Sequence, residues 1–474
     1  MSSNQYDLVI LGAGTGGYVA AIRASQLGMK VAVVEKEKVG GTCLHRGCIP
    51  SKALLRSAEV YHTMLKSSEY GIETVDLKLN FGKMQERKQK IVDQLHKGVQ
   101  YLLKKGQITT FHGEGRIMGP SIFSPQAGAV AVTKANGESE ILLPKFLLIA
   151  TGSKPRTLPG LEIDGEYVLT SDEALELKKL PKSMIIVGGG AIGIEWASLL
   201  NDLGVEVVLL EYAERILPHE DPDISKEMMR LFKKRKIKVH TGTKVLTETI
   251  SKEMGQISFQ AEKNGVMLDF QAEKLLVSIG RTANVDNIGL SNTEVKVEKG
   301  VIRVNNHFQT DEAHIYAIGD VIGGLQLAHV ASHEGIVAVE HMAGLNPLPM
   351  DYAKVPKVTY SRPEVASIGL TEEEAKRRDK KLKISTFPFK AIGKALIHGE
   401  ADGFVKLIAD AETDDLLGVH MIGPDVSNLI SEAALASVLD ATSWEIAQTV
   451  HPHPTISEII GEAAMAVDGK AIHM

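Results

Sequence analysis

Cysteine is scarce in this chain, with two in 474 residues. A secreted scaffold stapled by disulfides needs more, so that class is excluded and the two that remain invite inspection. Positive charge is not in excess: 53 Lys and Arg stand against 59 Asp and Glu, for a net charge of −6. General nucleic-acid and anionic-membrane binders carry a basic excess, so neither class is favoured. No stretch reaches the about 18 uninterrupted apolar residues of a membrane span. The richest candidate, Ile185 to Leu200, is broken by four glycines and Glu195. The N-terminal MSSNQ shows no basic segment followed by an apolar core, the pattern of a secretory leader. What remains is an ordinary globular composition, 44% hydrophobic and 24% charged, long enough for two to four domains of about 150 residues. The expected location is the cytoplasm.

One pattern occurs twice. An apolar run, Tyr6 to Leu11, leads into GAGTGG (Gly12 to Gly17), a small-residue helix to Gly28, and a strand ending at Glu35. Ser183 to Val187 likewise leads into GGGAIG (Gly188 to Gly193), a helix to Gly204, and a strand ending at Glu211. In both copies 23 residues separate the first glycine from the acid. Strand, glycine turn, helix and acid together are the fingerprint of a dinucleotide site. The first glycine (Gly12, Gly188) makes the tight turn. The second (Gly14, Gly190) lets backbone approach a pyrophosphate, and the third (Gly17, Gly193) lets helix and strand pack closely. The pyrophosphate sits on the free amides of the helix N-terminus, and the acid accepts from a ribose hydroxyl. The copies lie 176 residues apart, which predicts two separate nucleotide domains and electron transfer between two dinucleotides. Glu211 would repel a 2′-phosphate, so the second site is expected to prefer NAD to NADP, an expectation that nearby Arg215 slightly weakens.

Both cysteines fall in GGTCLHRGCIPSK, Gly40 to Lys52. Pro50 marks a helix start, placing Cys48 near a helix N-terminus where the dipole favours thiolate, and Arg46 and Lys52 add positive charge. Such a thiolate attacks disulfides or donates charge to a flavin. Two buried structural thiols are the bland alternative, and the closeness of the only two cysteines argues for a redox pair. Zinc would need four ligands, and no second Cys/His cluster lies close in sequence. His453, five residues before Glu458 in HPHPTISE (His451 to Glu458), could have its tautomer fixed by that carboxylate. Taken alone, the segment reads as a surface turn with extended residues before each proline.

The cysteine segment resembles the redox-disulfide motif of the flavin-dependent pyridine-nucleotide disulfide reductases. ATGSKPR (Ala150 to Arg156), HIYAIGD (His314 to Asp320) and HPHPTISE extend the likeness along essentially the whole chain. The resemblance implies an α/β fold: two Rossmann-like domains, for FAD and NAD, plus a C-terminal α+β dimerisation domain. The expected bounds are 1–150 and 281–346 for FAD, 151–280 for NAD and 347–474 for the interface, with the Pro-rich Leu345 to Pro356 at the last boundary. Within the family, the likeness is to members that oxidise dihydrolipoyl groups as the flavoprotein component of 2-oxo acid dehydrogenase complexes. It implies a homodimer that meets a lipoyl domain and an acyltransferase core.

The resemblance also implies residue roles. Cys48 would lie against the flavin and Cys43 would exchange with substrate. Lys52 and Glu195 would pair beside the flavin, and the partner subunit would supply His453 and Glu458 as base and orienting acid. FAD would be held by Gly12, Gly14, Gly17, Glu35, Lys36, Gly41, Thr42, Lys52, Gly115, Thr151, Gly152, Ser153, Asp320, Gln326, Leu327, Ala328 and His329. NAD would be held by Gly188, Gly190, Gly193, Glu195, Glu211, Val245 and Gly280. His45 and Arg46 fall at variable places of the cysteine loop and are given no role. The competing expectations are a relative with another disulfide substrate and a non-catalytic flavoprotein. Glu211 disfavours the NADP-dependent glutathione-type relatives, and a tail without cysteine disfavours mercuric-reductase-like ones. The helix-like Glu334 to Ala343 reads as packing, Glu372 to Lys381 as a solvated helix face, and the basic Lys233 to Lys238 as too short to bind nucleic acid.

Overall fold

The computed structural model describes residues 4–120 and 127–473. They divide into two compact units, the first of residues 1–53, 82–156 and 281–350 and the second of residues 54–81, 157–280 and 351–474.

The first unit is built on a seven-stranded sheet. Gln5–Leu11 runs parallel to Val31–Glu35 on one side and to Ser139–Ile149 on the other. Thr109–His112 and Ile315–Ala317 extend the parallel part. Strands covered on both faces read as continuous apolar runs, and Leu8, Val9, Ile10, Ala32 and Val33 are fully buried. The helix Thr15–Gln26 follows the first glycine turn, and its Ala20, Ala21 and Ala24 share one core with Leu8, Ile10 and Val33.

The second unit repeats the plan. Its parallel sheet runs Lys238–His240, Glu206–Leu210, Ser183–Val187, Lys274–Val277, Val168–Leu169. The duplicated sequence is therefore a duplicated βαβ arrangement, with the glycine-turn strand flanked by the strand that ends in the acid. A four-stranded antiparallel sheet spans residues 243–272, and a five-stranded antiparallel sheet lies in residues 357–423. The latter packs Phe387, Phe389, Leu407 and Met421 with Ile430 and Ala433 of helix Val426–Val438 and Ile459, Ile460 and Ala463 of helix Glu458–Ala466. This is the α+β region expected after Leu345.

Two expectations are corrected. The helix read from Glu334 begins at Ala328 and ends at Met342. The charged run from Glu372 is helical only to Arg377, and it is not simply solvated. Glu372 Oε2 accepts from Lys406 Nζ at 2.6 Å, and Lys406 also meets Asp221 at 2.9 Å and Asp223 at 2.7 Å. Lys406 is 1% exposed, and a buried cation needs such partners because it persists only when paired. The basic run is divided as well: Lys233 and Lys234 close helix Pro222–Lys234, while Arg235 turns inward to Asp202 at 2.8 Å and to the Ser198 hydroxyl at 3.0 Å.

Candidate active site

The two glycine turns have the same internal geometry. Gly12 and Gly188 sit at φ +99° and +111°, where side chains are strained. A Cβ there would lie 2.3 Å from the Ala150 carbonyl oxygen and 2.4 Å from that of Ser278. At Gly17 and Gly193 a Cβ would lie 2.0 and 1.9 Å from the carbonyls of Gly12 and Gly188. The fold itself demands these four glycines.

Gly14 and Gly190 differ. Their backbones are extended, with φ −65° and −78°. A Cβ at Gly14 would meet only Gly41 Cα, at 3.9 Å, and one at Gly190 would meet no described atom within 4 Å. Neither folded neighbours nor backbone strain require glycine there, whereas a ligand lying against the main chain would. Each caps a helix, Thr15–Gln26 or Ala191–Asp202, that has no side-chain cap and no acid in its first turn, so the positive end is available to a pyrophosphate. The residues present thus fit a dinucleotide in each unit. A Gly190→Ala protein is expected to fold with near wild-type melting temperature and to lose NAD affinity by about tenfold or more. A Gly193→Ala protein should be destabilised by about 3 kcal/mol. Thermal melting beside NAD titration checks both.

The acids are braced identically. Glu35 accepts from Ala13 N–H and Glu37 N–H, both at 2.8 Å. Glu211 accepts from Gly189 N–H at 2.5 Å and Ala213 N–H at 2.7 Å. Arg215 reaches the Pro218 carbonyl at 3.1 Å and Glu373 at 3.4 Å.

Cys43 lies in the short helix Gly41–Arg46, and Cys48 is the first residue of helix Cys48–Leu65, so the helix begins two residues before Pro50. The two cysteines are thiols, not joined as a disulfide, and are hydrogen-bonded to each other. That bond and burial push the Cys43 thiol up, against the Thr15 hydroxyl and the Lys52 ammonium, which pull it down. Cys43 therefore keeps its proton within the pair. Gly41, at φ +61°, presses on Gly14: a Cβ there would lie 2.4 Å from Gly14 Cα. The cysteine helix thus begins against the first glycine turn.

Further expected residues of the first unit gather in a polar network. Ser153 donates to Asp320, and Arg281 donates to the Ser153 hydroxyl at 2.7 Å and its carbonyl at 2.8 Å. The Thr151 hydroxyl donates to the Asn284 carbonyl at 2.8 Å, and Asn284 returns a bond to the Thr151 carbonyl at 2.9 Å. Gly152 is left-handed, at φ +67°. Leu327 caps helix Ala328–Met342, which puts Ala328 and His329 in its first turn. Gly115 has a packing reason to be glycine, because a Cβ would lie 2.7 Å from Leu11 Cδ2. Lys36 follows the braced acid, and Thr42 lies in the first turn of the Cys43 helix.

The second unit holds the remaining expected residues. Glu195 is buried, and its Oε1 accepts from Tyr360 N–H at 2.9 Å. Val245 ends strand Thr243–Val245, and Gly280 is left-handed, at φ +103°. His453 Nδ1 bonds Glu458 Oε1 at 2.8 Å, and Glu458 Oε2 accepts from Thr455 N–H at 2.9 Å. Burial raises the Glu458 carboxyl, but the His453 and Thr455 bonds outweigh it and hold the group below the usual carboxylate range. Glu458 is thus the ionised partner that holds the ring at Nδ1, and Nε2 lies on the other side of the exposed His453 imidazole. Both residues line a cavity of ≈ 250 Å³ with Ile392, Thr449, His451 and Met465.

Several partners carry no signal in the sequence. Glu432 holds His451 Nε2 at 2.8 Å, and Glu462 holds His473 Nδ1 at 2.6 Å. Glu334, buried in the helix read as packing, accepts from Gly319 N–H at 2.6 Å, beside Asp320. Arg281 and Asn284, the hubs around Ser153 and Thr151, carried no motif. Their one signal is position, one and four residues after Gly280.

Comparison with known proteins places the chain among redox flavoproteins. The pyridine nucleotide-disulphide oxidoreductase model matches residues 6–335, and the dimerisation domain of the same class matches residues 355–464. The chain is 65% identical to a dihydrolipoyl dehydrogenase of Bacillus subtilis, across 99% of this chain and all of that one. It is 40% identical to a mitochondrial dihydrolipoyl dehydrogenase of Pisum sativum, across 100% of this chain and 93% of the relative. Among solved structures, LpdA of Mycobacterium tuberculosis superposes with TM-score 0.90 at 26% identity, covering 97% and 99% of the two chains. The HOCl-induced flavoprotein disulfide reductase RclA of Escherichia coli, in a Cu(II) complex, superposes with TM-score 0.86 at 25% identity, covering 98% and 100%.

Proposed function

The chain belongs to the pyridine nucleotide-disulphide oxidoreductase family, and from that premise we propose that it oxidises protein-bound dihydrolipoyl groups to the lipoyl disulfide, with NAD as final acceptor. It serves as the flavoprotein component of a 2-oxo acid dehydrogenase complex, meeting the lipoyl domain and the acyltransferase core. The observation that carries this reading is the bonded thiol pair at the first glycine turn, Cys43 and Cys48 beside Gly41 and Gly14.

Residues 1–150 and 281–346 hold FAD, residues 151–280 hold NAD, and residues 347–474 form the interface of a homodimer. FAD, when bound, supplies the two-electron chemistry between dithiol and nicotinamide. The chain does the rest. His453 Nε2 takes the proton of a substrate thiol, while Glu458 at Nδ1 stabilises the imidazolium. The thiolate attacks Cys43 Sγ in the oxidised pair and breaks the Cys43–Cys48 bond. The second substrate thiol then attacks the substrate sulfur of this mixed disulfide and displaces Cys43 Sγ, which takes up its proton. The substrate leaves as a disulfide, and both electrons remain on Cys43 and Cys48. His453 and Glu458 act on the cysteines of the other subunit of the dimer, so dimerisation is a condition of turnover. Glu211 would accept from the ribose hydroxyls of NAD. The location in this reading is the cytoplasm; no helix among the described residues is long and apolar enough to cross a membrane.

The test is direct. The purified protein should carry FAD and produce NADH from NAD and dihydrolipoamide, with NADP and glutathione poor replacements. A flavin-loaded protein inert toward dihydrolipoamide but active on another disulfide would transfer the reading to a different substrate. A protein unable to take up FAD would end it.

A further inference from the structure

The residues between the two cysteines form a clamp. His45 Nε2 bonds the Val39 carbonyl at 2.9 Å, and His96 Nδ1, from helix Phe81–Lys105, bonds the same oxygen at 3.0 Å. A carbonyl only accepts, so both ring nitrogens carry protons, and its two lone pairs serve two donors. The rings meet edge to face, with centroids 5.1 Å apart. Burial holds His45 below the ordinary imidazole range, as do the nearby His96, Lys38 and Arg46, against the pull of the Val39 bond. Arg46, the next residue, pairs with Glu37. Both variable positions of the loop are therefore tied back to the segment that precedes the Cys43 helix.

The other edge of the same peptide unit matters equally. Gly40 N–H donates to the Ala13 carbonyl at 2.7 Å, and Ala13 N–H is the group held by Glu35. One peptide plane, Val39–Gly40, thus joins the glycine turn to the cysteine helix. Its N–H is fixed by the turn and its C=O by the two histidines. Gly40 and Gly41 are both left-handed, at φ +110° and +61°, so without the clamp the six-residue helix carrying Cys43 would hang from a two-glycine hinge.

We infer that His45 and His96 are positioning residues that hold the Cys43 helix in register with Cys48 through the Val39 carbonyl, raising the effective concentration of one thiol toward the other. The inference rests on the reading of Cys43 and Cys48 as the redox couple. Its chemistry is the closing of the Sγ–Sγ bond. Oxidised glutathione takes the two electrons, and both thiol protons leave on two molecules of reduced glutathione.

The test equilibrates the flavin-loaded enzyme with glutathione redox buffers and counts free thiols at each ratio. His45→Phe and His96→Phe each leave Val39 one donor, and each should lower the equilibrium constant for disulfide formation by about twofold to threefold. Because the two share one acceptor, the double variant should lose about tenfold or more, beyond the product of the singles. His45→Gln, which restores an N–H donor, should return the single variant to the wild-type value. A double variant that melts earlier but keeps the wild-type equilibrium would overturn the inference while leaving the redox reading intact. Wild-type thiols that never form a disulfide would overturn the redox reading and this inference with it.

Discussion

Replacing His453 by glutamine is expected to lower kcat/KM for dihydrolipoamide by about 10²–10⁴-fold, the range contributed by a positioned general base. Flavin content and melting temperature should stay near wild type, because the ring is exposed and its one described bond runs to Glu458. Glutamine can still donate to Glu458, but it cannot take a proton from a thiol. The loss should shrink as pH rises, since a substrate thiol that is already ionised needs no base. Glu458→Gln should cost less, because Nε2 survives while the tautomer is no longer dictated by a carboxylate. Measuring kcat/KM for both variants across pH separates the roles. An unchanged rate in His453→Gln would remove it from the chemistry.

The second large effect concerns folding. Lys406→Met should destabilise the protein by about 3–5 kcal/mol, the cost of leaving buried charge unpaired. Asp221 is fully buried, and Lys406 holds it together with Asp223 and Glu372. The Asp221 site is further ordered by Glu372 N–H at 3.0 Å. Burial raises the Asp221 carboxyl, but the Glu372 and Lys406 bonds prevail and lower it; Lys376 and then Lys406 lower Glu372. Carboxylates depressed in the folded state contribute stability above their ordinary range, near pH 4. That contribution is lost as pH falls through the depressed values. The wild type should therefore lose stability steeply below about pH 4, and Lys406→Met should show a flatter acid limb. Melting curves at neutral and acid pH decide it: equal slopes in both proteins would show that the cluster does not govern acid stability.

Much of this was legible in the chain. The two glycine motifs have fixed spacing because the turn, the helix and the acid are local, within about 25 residues of one another. The structure returns them as twin βαβ arrangements. The cysteine pair and the His453–Glu458 bond are also local, at separations of five residues. What the sequence concealed is non-local or depends on burial. Glu372 sits among eight other charged side chains in the run to Lys381, and nothing in that run distinguishes the one that turns toward Lys406. Glu334 lies inside an apolar helix pattern and serves Gly319 across fifteen residues. His45 looked like a freely variable loop position because its acceptor is a backbone carbonyl, which leaves no residue-type signature. Arg281 was equally silent, since its partners Ser153 and Asp320 come from distant parts of the chain.

The braced acids have a consequence for selectivity. Each carboxylate of Glu35 and Glu211 is already clasped by two main-chain donors, one at each oxygen. Every oxygen keeps a lone pair for an incoming hydroxyl, yet the side chain has little rotational freedom left to surrender on binding, a saving of about 0.5–1.5 kcal/mol for each immobilised side chain. On the proposed reading, a rigid jaw rather than a mobile arm would set nucleotide choice at either turn. Re-specifying one would require rebuilding its loop, because exchanging the acid alone strands two amides.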